Sequence, residues 1–438
     1  MKDRQFVIAE KLYKNVTDGT HDSPKPQIQG FPLVTSKNIK GGVLDISSAN
    51  LISKIDYDNI SKRSEVEKWD VIISMIGEYC GYTYIEKNDK INYAIKNVGL
   101  FKTGSELEAR WLTYYLQSDL GQYYLKQVRS GSSQPYLSLG ALRKLPIFNP
   151  TIEIKRKITS VLSALDNKIE LNNKINAELE AMAKTIYDYW FVQFDFPDAN
   201  GKPYKSSGGT MVWNETLKRD IPERWAAETI NDLGSVIGGS TPSKAIPENF
   251  SNSGTPWITP KDLSMNIGNK FISKGETDVS EIGLKEASLN ILNAGSVLMS
   301  SRAPIGYLAI NRLPCTTNQG FKSVVCNKNY SCEYVFYVLK HNMPKIEANA
   351  SGSTFKEIST GVFRSITVVK PSIEVVNNYV DKVKAIFQKQ NNLEIQNQEL
   401  GQLRDWLLPT LMNGQVTIGE AEEKVGMVAE GSVKYNIS

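Results

Sequence analysis

Along Thr151 to Trp190 the apolar positions Ile158, Leu162, Leu165, Ile169, Leu179, Ala183, Ile186 and Trp190 recur at steps of four and three, with Asn172 and Asn176 filling the two central places. That is a heptad seam, and the stretch holds no proline or glycine to interrupt it. At about 1.5 Å per residue, forty helical residues would make a rod of about 60 Å. A rod with one apolar stripe needs a partner helix to cover it.

The chain supplies one. Ser372 to Met412 aligns with the first stretch without a gap: Ile152-Glu153 falls on Ile373-Glu374, and Asn176, Glu178 and Leu179 fall on Asn397, Glu399 and Leu400, each at a shift of 221 (373 − 152). The shifted seam reads Tyr379, Val383, Ile386, Gln390, Leu393, Asn397, Leu400, Arg404, Leu407 and Leu411. Buried asparagines commonly fix helix register, so Asn176 and Asn397 are expected to find partners at the centre of a helix pair seamed by Leu162, Leu165, Ile169, Leu179, Val383, Ile386, Leu393 and Leu400. A stripe facing water or a partner is the alternative. Apolar residues off the seam, namely Val161, Leu171, Ile175, Ile395 and Leu403, are candidates for docking other subunits.

The repeat extends beyond the helices. Residues 130 to 153, SGSSQPYLSLGALRKLPIFNPTIE, lie over 351 to 374, SGSTFKEISTGVFRSITVVKPSIE, and Asn97-Val98-Gly99 lies over Asn318-Gln319-Gly320. Val34 to Asn38 resembles Ile258 to Asp262 at a shift of 224, and Gly81-Tyr82 resembles Gly306-Tyr307 at 225, slips that small loop insertions explain. Short apolar runs closed by turn residues, Phe31 to Thr35, Asp70 to Ser74, Pro256 to Thr259 and Ser296 to Ser300, predict strands of a mainly antiparallel, barrel-like sheet. Helices are expected near Leu107 to Val128 and Glu333 to Asn349. The fold class is therefore α+β: two tandem mixed α/β domains separated by a pair of long antiparallel coiled-coil helices, in a pseudo-twofold internal repeat. The expected division is a first domain over 1–149, a long helix over 150–192, a crossover over 193–222, a second domain over 223–370, a second long helix over 371–412 and a tail over 413–438. The crossover, rich in glycine, proline and serine, reads as ordered to flexible, and the glycine-bearing tail as irregular.

Composition narrows the chemistry. Of 438 residues 41% are hydrophobic and 22% charged, an ordinary globular balance, and a net charge of +4 decides nothing by itself. The opening MKDRQFVIAEKLYKNV lacks the apolar core of a signal peptide and no apolar run approaches 18 residues, so a cytoplasmic location without membrane contact is expected. Four cysteines without a CxxC pair and two histidines, His21 and His341, offer neither a zinc framework nor a disulfide scaffold, and no metal site is expected. No Walker or dinucleotide loop, GxSxG elbow, HExxH helix or Asn/Asp-Pro-Pro-aromatic run occurs. No catalytic residue is assigned.

Binding fits better. The loops at the ends of the predicted strands collect donors suited to phosphates and base edges: Thr20, His21, Ser36, Lys37, Asn38 and Lys40 in the first copy, with Ser132 and Gln134 from the serine-rich loop. The second copy offers Thr241, Ser243, Lys244, Thr259, Lys261, Asp262, Arg302, Asn318 and Gln319, with Ser353, Thr354 and Lys356. Each of these residue types also serves as a turn or cap residue.

These features together resemble the specificity subunit of type I restriction-modification enzymes. The resemblance rests on the two long helices, the TSKNI and WITPKDLS strands, the SGS loops, and the crossover YWFVQFDFPDANGKPYKSSGGTMVWNETLKRDIPERW; it covers nearly the whole chain except the last 25 or so residues. It implies two target recognition domains, each reading one half of an asymmetric, split double-stranded DNA site. The helices would pair antiparallel as a spacer and dock two methylation subunits, with two restriction subunits as further partners where these occur. It also implies a non-catalytic chain that needs no cofactor of its own, with S-adenosylmethionine, and for restriction ATP and Mg, on the partner subunits. Two other classes remain open on the residues alone: a structural coiled-coil scaffold or homodimer without DNA specificity, and a methyltransferase or nuclease with an unrecognised centre.

Overall fold

A computed structural model of the chain describes residues 5–131, 134–352, 356–413 and 418–429. The first long helix runs over Ile152–Tyr187 and continues into a π-helical turn over Asp188–Val192; the second runs over Ile373–Asn413. The chain forms two compact units that are not consecutive in sequence. One is Met1–Glu170 with Gln398–Ser438, the other Leu171–Asn397, so each unit contains a segment of both long helices.

In the first unit Ile158, Val161, Leu162 and Leu165 are buried in one core with Leu400, Leu403, Leu407 and Leu411. In the second, Ala183 and Tyr187 share a core with Tyr379, Val383 and Phe387. Arg404 meets Asp166, Asn397 meets Asn172, and Gln390 meets Asn176, so partner numbers fall as helix numbers rise. The helices are antiparallel. The seam follows the heptad reading, with three corrections. Asn397 bonds Asn172 at 2.9 Å and Asn173 at 2.7 Å, whereas the buried Asn176 meets Gln390 through its backbone carbonyl. Of the proposed docking residues, Val161 and Leu403 are core, because a helix buried against a domain as well as against another helix needs a wider apolar stripe than a/d alone. Leu171 remains half exposed, with Ile175 and Ile395 partly covered.

The globular part of the first unit contains a four-stranded antiparallel sheet, ordered Val16–Asp18, Val98–Phe101, Val71–Ser74 and Thr83–Ile85. A three-stranded sheet joins Asn50–Ile52, Phe31–Val34 and Ala94–Ile95, the last pair parallel. The second unit repeats this plan with five strands (Ser235–Gly238, Lys322–Val325, Val297–Ser301, Ile305–Asn311, Phe271–Ile272) and four (Phe250–Ser251, Thr277–Val279, Thr255–Ile258, Thr316–Thr317). The pairings are mainly antiparallel, as expected, with three parallel ones; the sheets are open, which corrects the barrel-like expectation. Parallel partners 39 to 61 residues apart (310 − 271, 94 − 33) leave no hairpin signal in the sequence. The expected helical runs are each broken in two, Glu106–Gln117 then Asp119–Val128, and Cys332–His341 then Met343–Ala348.

Two further segments differ from expectation. The crossover is ordered: Phe196 stacks on Trp225 at 4.9 Å and on Tyr204 at 4.7 Å, and a hairpin pairs Met211–Asn214 with Arg219–Pro222. Its aromatic side chains outweigh its turn residues. Part of the tail is a helix, Ile418–Ala429, because Ala421, Val425 and Val428 lie at helical spacing and pack on the first unit's core.

Candidate nucleic-acid interface

In the first unit three loops leave the strand ends side by side. Gly19 N donates to Val98 O at 2.9 Å and Thr20 N to Ile95 O at 3.0 Å, tying the first loop to the third; Lys96 N donates to Val34 O at 2.8 Å and Ser36 Oγ to Asn97 O at 3.3 Å, tying the third to the second. The second unit makes the same joints. Ser240 N donates to Thr317 O at 3.0 Å and Asn318 N to Ile258 O at 3.2 Å, and Thr241 Oγ1 bonds the side chain of Gln319. The approach is so close that a Cβ at Gly19 would lie 2.3 Å from Ile95 O, and one at Gly239 2.0 Å from Thr317 O. Only glycine fits at either place.

The serine-rich loops sit beside a strand end in each unit. Ser130 and Tyr136 exchange backbone hydrogen bonds and Leu137 N donates to Met75 O; Ser351 and Glu357 do the same and Ile358 N donates to Ser301 O. Gly131 and Gly352 adopt φ of 84° and 124°, which a side chain would strain. Of the donors expected there, Ser132, Ser353 and Thr354 lie outside the described residues.

The remaining candidates separate by environment. His21, Lys37, Lys40, Gln134, Thr241, Lys244, Lys261, Gln319 and Lys356 are exposed. Ser243, Thr259, Arg302 and Asn318 are half-buried, and Thr20 and Ser36 are buried. His21 is oriented from both ring nitrogens, 3.0 Å from Asp18 and 3.0 Å from Asn97. Lys40 lies over the Tyr79 ring at 5.2 Å. Lys261 pairs with Glu276 at 2.6 Å, which raises the lysine's pKa and lowers the glutamate's. Arg302 approaches Glu357, and Ser301 N donates to Gly320 O at 2.7 Å, which brings Arg302 to the loop of Asn318 and Gln319. Ser243 and Lys244 sit instead on a stretch whose backbone turns to Glu286.

Asn38 and Asp262 hold the loops rather than face out of them. Asn38 Oδ1 accepts from Thr35 N at 2.8 Å while its amide donates to Asp45 O and Ser48 Oγ, both at 3.1 Å. Asp262 accepts from Thr259 N at 2.8 Å, Thr259 Oγ1 at 2.6 Å and Glu276 N at 2.9 Å. Both are capping boxes at corresponding places in the repeat. The residue reading overlooked Asp18, Arg63 and Lys96, which support the first loop, and Asn97, although Asn97 is the 221-shifted counterpart of Asn318.

Other chemistry is not built here. Burial pushes the thiols of Cys315 and Cys326 up to about 12, and those of Cys80 and Cys332 up as well, so no thiolate is poised for attack. Among the described residues no group of three or more His, Cys, Asp or Glu side chains could hold a metal ion, and no helix is long and apolar enough to cross a membrane. What recurs is a pair of rigid, polar loop clusters on sheet ends.

The model of the type I restriction modification DNA specificity domain matches the chain twice, over residues 26–181 and 222–404. The chain belongs to this family. Each match takes in most of one long helix; the second spans all three loops of its cluster, and the first spans the Ser36 and Asn97 loops but begins after the Gly19–His21 loop. Within the family, the chain is 28% identical over 408 residues to the specificity subunit of the type I restriction enzyme HindI of Haemophilus influenzae, covering 81% of this chain and 88% of that one. It is 38% identical over 189 residues to the MjaIX specificity subunit of Methanocaldococcus jannaschii, covering 41% and 43%. The crystal structure of a type I S subunit from M. genitalium superposes with a TM-score of 0.54 at 15% identity, over 93% of this chain and 95% of that one, and so shares the fold.

Proposed function

We propose that this chain is the DNA-reading subunit of a type I restriction-modification complex, one globular unit recognising each half of an asymmetric bipartite site. The observation that carries the proposal is the same three-loop cluster built twice with unlike side chains, in a chain that matches the specificity domain twice. Where the first cluster presents His21, Lys37 and Lys40, the second presents Thr241, Lys261 and Gln319. Unlike donors select unlike bases, and the lysines suit phosphates.

In this reading residues 1–149 and 223–370 are the target recognition domains, 150–192 and 371–412 the paired helices, 193–222 the crossover and 413–438 the tail. The base- and phosphate-contacting set is His21, Lys37, Lys40, Gln134, Thr241, Ser243, Lys244, Lys261, Arg302, Asn318, Gln319 and Lys356, together with Ser132, Ser353 and Thr354 of the serine-rich sequences. Thr20, Ser36, Asn38, Thr259 and Asp262 shape the loops. Methyl transfer, with S-adenosylmethionine, belongs to two methylation subunits docked on the helices; cleavage, with ATP and Mg, belongs to two restriction subunits where the complex has them. The place of action is the cytoplasm, where the DNA is.

The test is an exchange of residues 5–149 for the matching segment of a relative, expressed with the methylation subunits. One half of the methylated sequence is expected to change and the other to stay. A change in both halves, or in neither, contradicts one unit per half-site.

A further inference from the structure

In each unit one tyrosine of the globular part is keyed to a carboxylate on the first long helix, and that carboxylate also holds a cation. Tyr114 Oη donates to Asp166 at 2.5 Å, and Arg404 of the second long helix meets the same carboxylate at 3.1 Å. Tyr337 Oη donates to Glu180 at 3.0 Å, and Lys270 and Lys340 meet that carboxylate at 2.7 and 2.6 Å. The two tyrosines are 223 residues apart (337 − 114), within the shifts of the repeat, and sit on equivalent helices, Glu106–Gln117 and Cys332–His341. Their carboxylates are 14 residues apart (180 − 166), two heptads in the sequence of the first long helix.

The second key is the larger. Lys270 is buried at the start of a strand and also reaches Gln390 Oε1 of the second long helix at 2.7 Å, while its backbone N donates to Glu394 at 2.8 Å. Arg312 reaches Glu394 at 2.8 Å and Asn391 at 2.6 Å. Burial alone would raise the Glu180 carboxyl, yet Lys270 and Lys340 hold it down to about 2, so the bonds are made by a full negative charge. A leucine seam tolerates small slides and rotations, because apolar contact is non-directional. A half-buried carboxylate with three directional partners does not.

We propose that Tyr114–Asp166 and Tyr337–Glu180 are positioning pairs that set where each recognition unit stands along the first long helix, and thereby fix the number of unread bases between the half-sites. The proposal rests on the DNA-reading role given above. It assigns to Glu180, Lys270 and Tyr337 control of spacing and not of base identity, since none of them belongs to a loop cluster.

The test uses the full chain co-produced with its methylation subunits and maps methylated sites by single-molecule sequencing. Glu180→Gln is expected to leave both half-site sequences unchanged while methylation at sites with a spacer one base pair longer or shorter rises at least tenfold over wild type. Glu180→Asp, which keeps the charge, is expected to fall in between. A Glu180→Gln complex that methylates fewer sites but keeps the single wild-type spacer overturns the proposal and leaves the DNA-reading role intact. A wild-type complex without a bipartite motif would overturn that role itself. Should Glu180→Gln not accumulate as folded protein, Tyr337→Phe, which keeps the ring and loses only the hydroxyl, is expected to broaden the spacer; an unchanged spacer in that variant overturns the proposal equally.

Discussion

Asn38 and Asp262 look from sequence like base readers: short polar side chains just after a strand, in the loops that carry recognition. The bonds assign them to the loop backbone instead. Cap and contact use the same residue types, and only the position of the neighbouring N–H groups separates the two. Asn38→Ala or Asp262→Ala is therefore expected to cost about 0.5–2 kcal/mol of stability in urea titration. Lys37→Ala and Gln319→Ala, on exposed positions, should change stability by no more than about 0.5 kcal/mol, yet weaken or relax binding of the assembled complex to its DNA in fluorescence anisotropy. Glu228 makes a second prediction. It is buried with one carboxyl oxygen bonded to Tyr330 at 3.1 Å and the other without a partner, and burial pushes its pKa up to about 7. A carboxyl raised on folding favours the fold while neutral, so its contribution is present below the unfolded value and is lost as pH rises through about 7. Glu228→Gln should be near neutral at pH 4 and gain on the order of 2 kcal/mol relative to wild type at pH 8, measured as the difference in urea midpoints.

The long helices are the elements most readable in the chain, because a heptad pattern repeated at 221 residues states both the helix and its partner. Register is less readable: Asn397 finds its central partner in Asn172, whereas Asn176 meets Gln390 through its backbone carbonyl, since the a/d pattern fixes a stripe but not which turn faces which. Asn172→Leu alone removes the donor to Asn397 Oδ1, while Asn397 keeps its bond to Asn173, and should cost about 1–3 kcal/mol. Adding Asn397→Leu should recover most of that loss, and a double-mutant cycle in urea measures the coupling. An additive pair would place the energy of this layer elsewhere. The tail was misread because glycines at 419 and 426 conceal a helical spacing of Ala421, Val425 and Val428. Val428→Ala is expected to lower the stability of the first unit by about 1–3 kcal/mol, read by hydrogen exchange at the buried strand Val71–Ser74.

At the scale of the whole molecule the repeat was legible and the site only in part. Strands at Phe31–Val34, Val71–Ser74, Thr255–Ile258 and Val297–Ser301 fall where alternating turn residues and apolar runs place them. The convergence of three loops does not follow from any local pattern, because it depends on parallel pairing of Leu33 with Ala94 and of Trp257 with Thr316. The division into units was likewise hidden, since each unit borrows a segment of the other repeat's helix. The central claim, two unlike readers in one chain, is tested most directly by expressing the chain with its methylation subunits in a host free of other modification systems. Single-molecule sequencing then reads every methylated adenine. Two short, different sequences separated by a constant number of unread bases are predicted; one uninterrupted palindrome would contradict the account.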